Sequence, residues 1–113
     1  MSHRLDVAQA SARLRDAGAT AGLTLLDVRE PWETALGRIE VPGVSTLSIP
    51  MNEVPGRLAE LMALPSILCY CHHGMRSLQV VAFLVQQGHA SVYNLDGGTD
   101  AWSLHVDPAL ARY

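Results

Sequence analysis

The sequence of 113 residues is short of aromatics, short of cysteine, without an excess of positive charge and without a long apolar run. Each shortage excludes something. A membrane-crossing helix needs roughly 18–20 consecutive apolar residues, and no stretch approaches that length. The first residues, Met1-Ser2-His3-Arg4-Leu5-Asp6, lack the apolar centre of a signal peptide, so a cytoplasmic location is expected. With a net charge of −3 and a pI near 5.9, the basic patches that nucleic acid or an anionic membrane would require are missing, and neither is expected as a partner. An aromatic share of 5% offers few stacking platforms, and Trp32 and Trp102 read as packing residues. The two cysteines, Cys69 and Cys71, are one residue apart. On a strand their Cα atoms would lie roughly 6.6 Å apart in fixed geometry, which does not suit a disulfide. Reduced thiols in a reducing compartment are expected, with Cys69 as a small core hydrophobe.

What is present is an ordinary globular balance, 49% hydrophobic and 17% charged, enough for one core in one domain over residues 1–113. There is no internal repeat, low-complexity run or linker. The most informative stretch is Cys71-His72-His73-Gly74-Met75-Arg76-Ser77. Ser66-Ile67-Leu68-Cys69-Tyr70 before it reads as a strand. Leu78 to Gln87 after it is apolar at helical spacing and closes at Gly88. A cysteine between a strand end and a helix start faces converging backbone N–H groups, a setting for negative charge. Arg76 adds a fixed positive charge, and both effects favour thiolate over thiol at Cys71.

In chain order, Val7 to Ala17 predicts a helix with Asp6 as N-cap and Gly18 as C-cap, after a short strand at Leu5. Residues 24–28 predict a buried strand carrying Asp27 at its end. Pro31 then starts a short helix through Leu36, with Glu30 near its N-terminus, Gly37 ending it and Pro42-Gly43 marking a turn. Val44 to Ile49 predicts another strand, and Asn52 caps a helix over 53–62 whose core positions are Leu58, Leu61 and Met62. Residues 91–95 form a last strand. Asp96-Gly97-Gly98 is a glycine turn, Thr99 or Asp100 caps a short helix, and His105 to Tyr113 is an irregular surface tail. Strands alternate with helices almost throughout. The fold class is therefore α/β, with a central, mostly parallel sheet of five short strands flanked by helices. Ligands of such sheets bind beyond the strands' carboxyl ends, where Asp27 and Cys71 both fall.

Asp27-Val28-Arg29-Glu30-Pro31-Trp32-Glu33, Gly37-Arg38-Ile39 with Pro42-Gly43, the Cys71 loop, and Gly97-Gly98 with Trp102 together resemble the rhodanese (sulfurtransferase) family over nearly the whole chain. The size resembles the single-domain form. The resemblance implies a rhodanese-like domain whose loop cysteine, Cys71, takes a sulfane sulfur from a donor such as thiosulfate. The resulting persulfide passes its outer sulfur to cyanide or a thiol. It implies that the amides of His72, His73, Gly74, Met75, Arg76 and Ser77 cradle the sulfur, that Arg76 binds the anionic donor or orders the loop, and that Asp27 and Arg29 support the loop. Arg38 departs from the histidine common at that position.

Plainer readings stand beside these. His72 and His73 are either proton-handling groups or solvent-facing residues that contribute only their amides. A zinc site from Cys71, His72 and His73 is disfavoured because contiguous residues point in different directions, so no metal and no cofactor is expected. Gly74 permits positive φ or close approach of a ligand. Arg76 is equally an anion clamp or a carboxylate's partner, and capping suffices for Ser77. Asp27 is better read as a loop-ordering acceptor than as an acid or base. Met51 and Met62 read as core fillers, and His3, His89 and His105 belong to no recognisable constellation. Two other functions compete. Cysteine-dependent phosphatases and arsenate reductases carry a longer loop; here only four residues separate Cys71 from Arg76. A persulfide carrier or binding module acting with a protein partner is the other alternative.

Overall fold

In the computed structural model, which describes residues 3–113, the middle of the molecule is strand β4 (Ser66–Tyr70). Around it lie β1 (Arg4–Leu5), β2 (Leu23–Asp27), β3 (Ser45–Ser48) and β5 (Val92–Leu95), in the order β1-β5-β4-β2-β3. All four pairings are parallel, so the expected mostly parallel sheet is wholly so among the described residues. Parallel neighbours need crossovers. These contain α1 (Val7–Leu14), α2 (Ala17–Thr20), α3 (Pro31–Leu36), α4 (Leu58–Met62) and α5 (Met75–Gln86), and α6 (Gly98–His105) follows β5. One consequence governs the site: every strand delivers its C-terminal end to the same edge of the sheet.

The two-residue alternation of a strand divides β4 between two apolar layers. Ile67, Cys69 and, just past the strand, Cys71 join Val80, Val81 and Leu84 of α5 and Leu61 of α4 on one face. Leu68 and Tyr70 join Ala10, Leu14, Leu95 and Trp102 on the other. Trp102 is the packing residue expected, and Met51 packs at the margin of the first layer. Among the described residues no helix is long and apolar enough to cross a membrane.

Five local expectations are corrected. Gly18 does not end the first helix: Asp16 turns extended and accepts from the Gly18 amide at 3.0 Å, starting the separate turn α2. The helix over 53–62 is broken. Pro50 and Pro55 withhold donors, so the chain makes two 3-10 turns, Met51–Glu53 and Pro55–Arg57, before α4, and Asn52 lies inside the first turn instead of capping. The N-cap of α5 is Gly74 at φ 95°, which places Ser77 within the helix, not at its cap. The N-cap of α6 is Gly97, and Thr99 and Asp100 lie within that helix. The tail is not simply a surface segment either. Leu110 is buried, its carbonyl accepts from Ser103 Oγ at 2.7 Å, and the chain then returns to the edge of the sheet carrying Cys71.

Candidate active site

Cys71 is the first residue past β4, and its Sγ receives two backbone donors. The Gly74 amide lies 3.2 Å away and the Ser77 amide 3.4 Å away. Both belong to the tight turn into α5, where four orphan N–H groups of a helix start are available. Of the amides expected to line the loop, these two are hydrogen-bonded to sulfur. The side chain itself is buried. The Met75 side chain is 68% exposed.

The loop's carbonyls are turned the other way. Cys71 O accepts from the Thr99 amide at 2.9 Å and His72 O from the Asp100 amide at 3.1 Å. The N-terminus of α6 thus holds the loop's acceptors while the N-terminus of α5 presents its donors to the sulfur. Gly98 makes this possible: a Cβ there would meet Cys71 O and His72 O at 2.4 Å. Gly74 is equally confined, since its Cβ would lie 3.0 Å from the Gly97 nitrogen at a φ that side chains rarely adopt.

Arg76 pairs with a carboxylate. Its guanidinium grips Glu33 of α3 in a two-pronged ion pair at 2.6 and 2.8 Å. That contact pulls the Glu33 carboxyl down to about 2, opposed by burial and assisted by the Tyr113 hydroxyl and the Glu30 amide. The positive charge that Arg76 brings to the loop is thereby compensated.

Asp27 and Arg29 lie beneath this pair and form their own. Arg29 Nε and Nη2 donate to the two Asp27 oxygens at 2.9 and 2.8 Å, the Arg29 amide adds a third bond at 3.0 Å, and Thr34 Oγ1 a fourth at 2.9 Å. Arg29 Nη2 also donates to Gly37 O at 2.7 Å. Burial opposes the charge on Arg29, but the hydrogen bonds to Asp27 and Tyr113 and the Asp27 charge raise its pKa overall. Beyond each other, the two reach Thr34, the Glu33 and Gly37 carbonyls and the Tyr113 hydroxyl. Arg38 stands apart, in an exposed pair with Glu40 at 2.8 Å.

The tail supplies a residue that sequence reasoning missed. Tyr113 OH donates to Glu33 Oε2 at 2.7 Å and accepts from Arg29 Nη1 at 3.2 Å, linking the two ion pairs. Its ring stacks on His72 with centroids 3.8 Å apart and planes 12° off parallel. His72 is therefore half-buried instead of solvent-facing; burial, with the His73 charge, pushes its pKa down, and its Nε2 is buried without a partner. His73 remains exposed, against the His72 ring at 3.9 Å. Trp32 is not packed as expected: it is 62% exposed, edge-on to Tyr113.

Glu33 and Asn94 were also missed. Glu33 had a weak signal as an acid in a first helical turn. Asn94 had a stronger one, a polar residue amid an apolar strand. It is buried against Ser77, whose hydroxyl donates to its Oδ1. Among the described residues no group of three or more His, Cys, Asp or Glu side chains is placed to hold a metal ion. Beside Arg76 lies an open depression of about 410 Å³ lined by Val28, Glu30, Met51 and Asn52.

Comparison with known proteins gives a consistent answer. Residues 6–105 match the rhodanese-like domain family. A protein of Allochromatium vinosum named sulfurtransferase is 38% identical over 111 residues, covering 98% of this chain and 97% of its own. The thiosulfate sulfurtransferase GlpE of Stutzerimonas stutzeri is 32% identical over 89 residues, 79% of this chain and 77% of its own. The crystal structure of a rhodanese-like domain protein from Staphylococcus aureus superposes with a TM-score of 0.73 at 27% identity, covering 100% of this chain and 99% of that one.

Proposed function

The chain belongs to the rhodanese-like domain family, and from that premise we propose that it is a sulfurtransferase whose nucleophile is Cys71. The thiolate attacks the outer sulfur of a donor such as thiosulfate. The donor's S–S bond breaks, sulfite leaves with the electron pair, and Cys71 carries a persulfide. A thiol or cyanide then attacks the outer sulfur, and Cys71 departs as thiolate. No outside oxidant or reductant enters. A stabilised thiolate serves both steps, as nucleophile first and leaving group second. The observation that carries this reading is the convergence of the Gly74 and Ser77 amides on Cys71 Sγ. Donors fixed by a helix start stabilise negative charge on sulfur without reorganising. The names of these relatives support the same reaction class and, through thiosulfate, the same type of donor. The site residues are Cys71 as carrier, the His72–Ser77 turn as cradle, and Asp27 and Arg29 as supports. A cytoplasmic, reducing setting suits a free thiol that cycles through a persulfide.

The test is intact-mass measurement after incubation with thiosulfate. A gain of about 32 Da, one sulfur atom, is expected at Cys71 and none at Cys69, because only the former has donors for an anionic sulfur. Modification at Cys69 instead overturns the assignment. A second reading, a persulfide carrier for a protein partner, is favoured by the exposed Trp32 and Met75 on the two helices that bear Glu33 and Arg76. Slow transfer to cyanide beside rapid transfer to a protein thiol distinguishes it.

A further inference from the structure

The hydroxyl of Ser77 has one proton and two neighbours able to receive it. Cys71 Sγ lies 3.4 Å away, and Asn94 Oδ1 lies closer. Asn94 decides between them. Its Nδ2 donates to the Gly74 carbonyl at 3.2 Å and to Asp96 Oδ1 at 2.8 Å. A carbonyl and a carboxylate only accept, so the amide cannot be turned over, and its oxygen must face Ser77. Both acceptors are themselves held. Asp96 receives Arg4 Nε at 3.1 and 3.0 Å, and Gly74 O also receives the Leu78 amide at 3.1 Å. An amide oxygen has no proton to give, so the Ser77 hydroxyl donates to it. What Ser77 turns toward the sulfur is a lone pair.

We propose that Asn94 is a positioning residue for the nucleophile: by fixing the Ser77 proton on its own oxygen it turns a Ser77 lone pair toward Cys71 Sγ, so that the hydroxyl accepts from the thiol form and does not donate to the thiolate. This rests on the reading of Cys71 as the nucleophile. In the thiol form the protons run in one direction, from Cys71 to Ser77 to Asn94. When Cys71 gives its proton to a water or buffer base, the two amides still point at the sulfur, but the Ser77 lone pair now faces an anion. Rotating the hydroxyl to donate to sulfur would leave Asn94 Oδ1 buried without a partner. The amides therefore favour the thiolate and the Ser77–Asn94 pair opposes it. The other ionisable groups around the sulfur are Arg76 of α5 with its partner Glu33 of α3, His72 and His73 in the loop, Asp100 of α6, Asp27 at the end of β2, and Cys69 on β4. The hydrogen bonds of the Ser77 hydroxyl run to Cys71 and Asn94, not to these groups.

The pH dependence of Cys71 alkylation by iodoacetamide, assigned against Cys69 by peptide mass, reads the proton arrangement and needs no sulfur donor. Ser77→Ala takes an acceptor from the thiol and nothing from the thiolate, so the midpoint moves acid-ward by about half a pH unit. Asn94→Ala releases the Ser77 proton to the sulfur and moves it further, by about one unit. The double variant returns to the Ser77→Ala value, and Ser77→Thr, which keeps the hydroxyl, keeps the wild-type midpoint. An unmoved or alkaline midpoint in Ser77→Ala overturns the proposal, because donation from Ser77 to the thiolate predicts an alkaline shift. If Asn94→Ala does not fold by circular dichroism, the sign of Ser77→Ala against Ser77→Thr decides alone. Wild-type protein that never loads sulfur while this order of midpoints holds would remove the sulfurtransferase reading and leave the proton assignment standing.

Discussion

Cys69 and Cys71 face the same apolar layer, two positions apart, and are almost equally enclosed, at 0% and 2% exposure. Their hydrogen-bond surroundings nevertheless differ. Cys69 lies within the sheet, in register with Leu26 and Asn94, and its side chain belongs to the apolar layer. Burial, then the nearby Cys71 and Asp27 charges, pushes its thiol pKa well up. Cys71 lies one step past the last strand residue, where the turn into α5 brings two amides to its sulfur. The difference teaches that enclosure alone does not decide reactivity. What decides it is whether nearby N–H groups are already spent on strand pairing or are still available at a helix start.

The strongest test of that contrast is a pair of substitutions. Cys71→Ser abolishes sulfur transfer with the fold intact by circular dichroism. Cys69→Ala retains transfer and costs about 1 kcal/mol in urea unfolding, the scale of a small core truncation. Transfer surviving in the first variant, or vanishing in a folded second one, erases the distinction. Next in size is Gly98→Ala. Its Cβ cannot coexist with the Cys71 and His72 carbonyls, so the loop shifts, sulfur loading falls by more than tenfold, and stability drops by about 2 kcal/mol. Unchanged loading would mean that α6 does not hold the loop.

Smaller effects sharpen the electrostatic side. The Glu33 carboxyl, held down to about 2 chiefly by Arg76, has its folded pKa below the ordinary 4.5. Its contribution to stability is full above the unfolded pKa and is lost as pH falls from about 4.5 towards 2. Glu33→Gln therefore flattens the acid limb of stability against pH and leaves Arg76 uncompensated near the sulfur, so Cys71 alkylates faster at a given pH. An acid limb as steep as that of wild type contradicts this. Smallest is Tyr113→Phe. It removes the hydroxyl between Glu33 and Arg29, keeps the stack on His72, and costs about 1 kcal/mol in thermal or urea unfolding.

Much of the architecture was legible because periodicity and punctuation carried it. The apolar runs at 24–28 and 66–70, and the helix closed by Gly88, needed only local pattern to place them. Asp6 was legible as a cap and makes a complete capping box with Gln9. Proline and glycine misled where two signals competed: Asn52 was a credible cap until Pro50 and Pro55 cut the segment into short turns. Within the site, Cys71, Arg76 and Gly74 were visible as one stretch of chain. Glu33, Asn94 and Tyr113 reach it from elsewhere, at separations of 43, 17 and 80 residues along their hydrogen bonds, and no local rule links such positions. The tail was the extreme case, since its proline and the lack of any regular period gave no sign that Tyr113 joins two ion pairs.

The two-residue strand β1 carries a consequence for the order of assembly. It docks on β5 through Asn94 N to His3 O and Asp96 N to Leu5 O, each 2.8 Å, and its Arg4 clasps Asp96 across a sequence separation of 92. Contacts between such distant segments bear the largest loop-closure entropy and form late in folding. Asp96 orients Asn94, and Asn94 orients Ser77. A folding intermediate in which the edge strand has not yet docked lacks the Arg4 and Leu5 contacts that hold Asp96 in place. The run of polar contacts from Arg4 through Asp96, Asn94 and Ser77 to the Cys71 sulfur is complete only once that strand is in place.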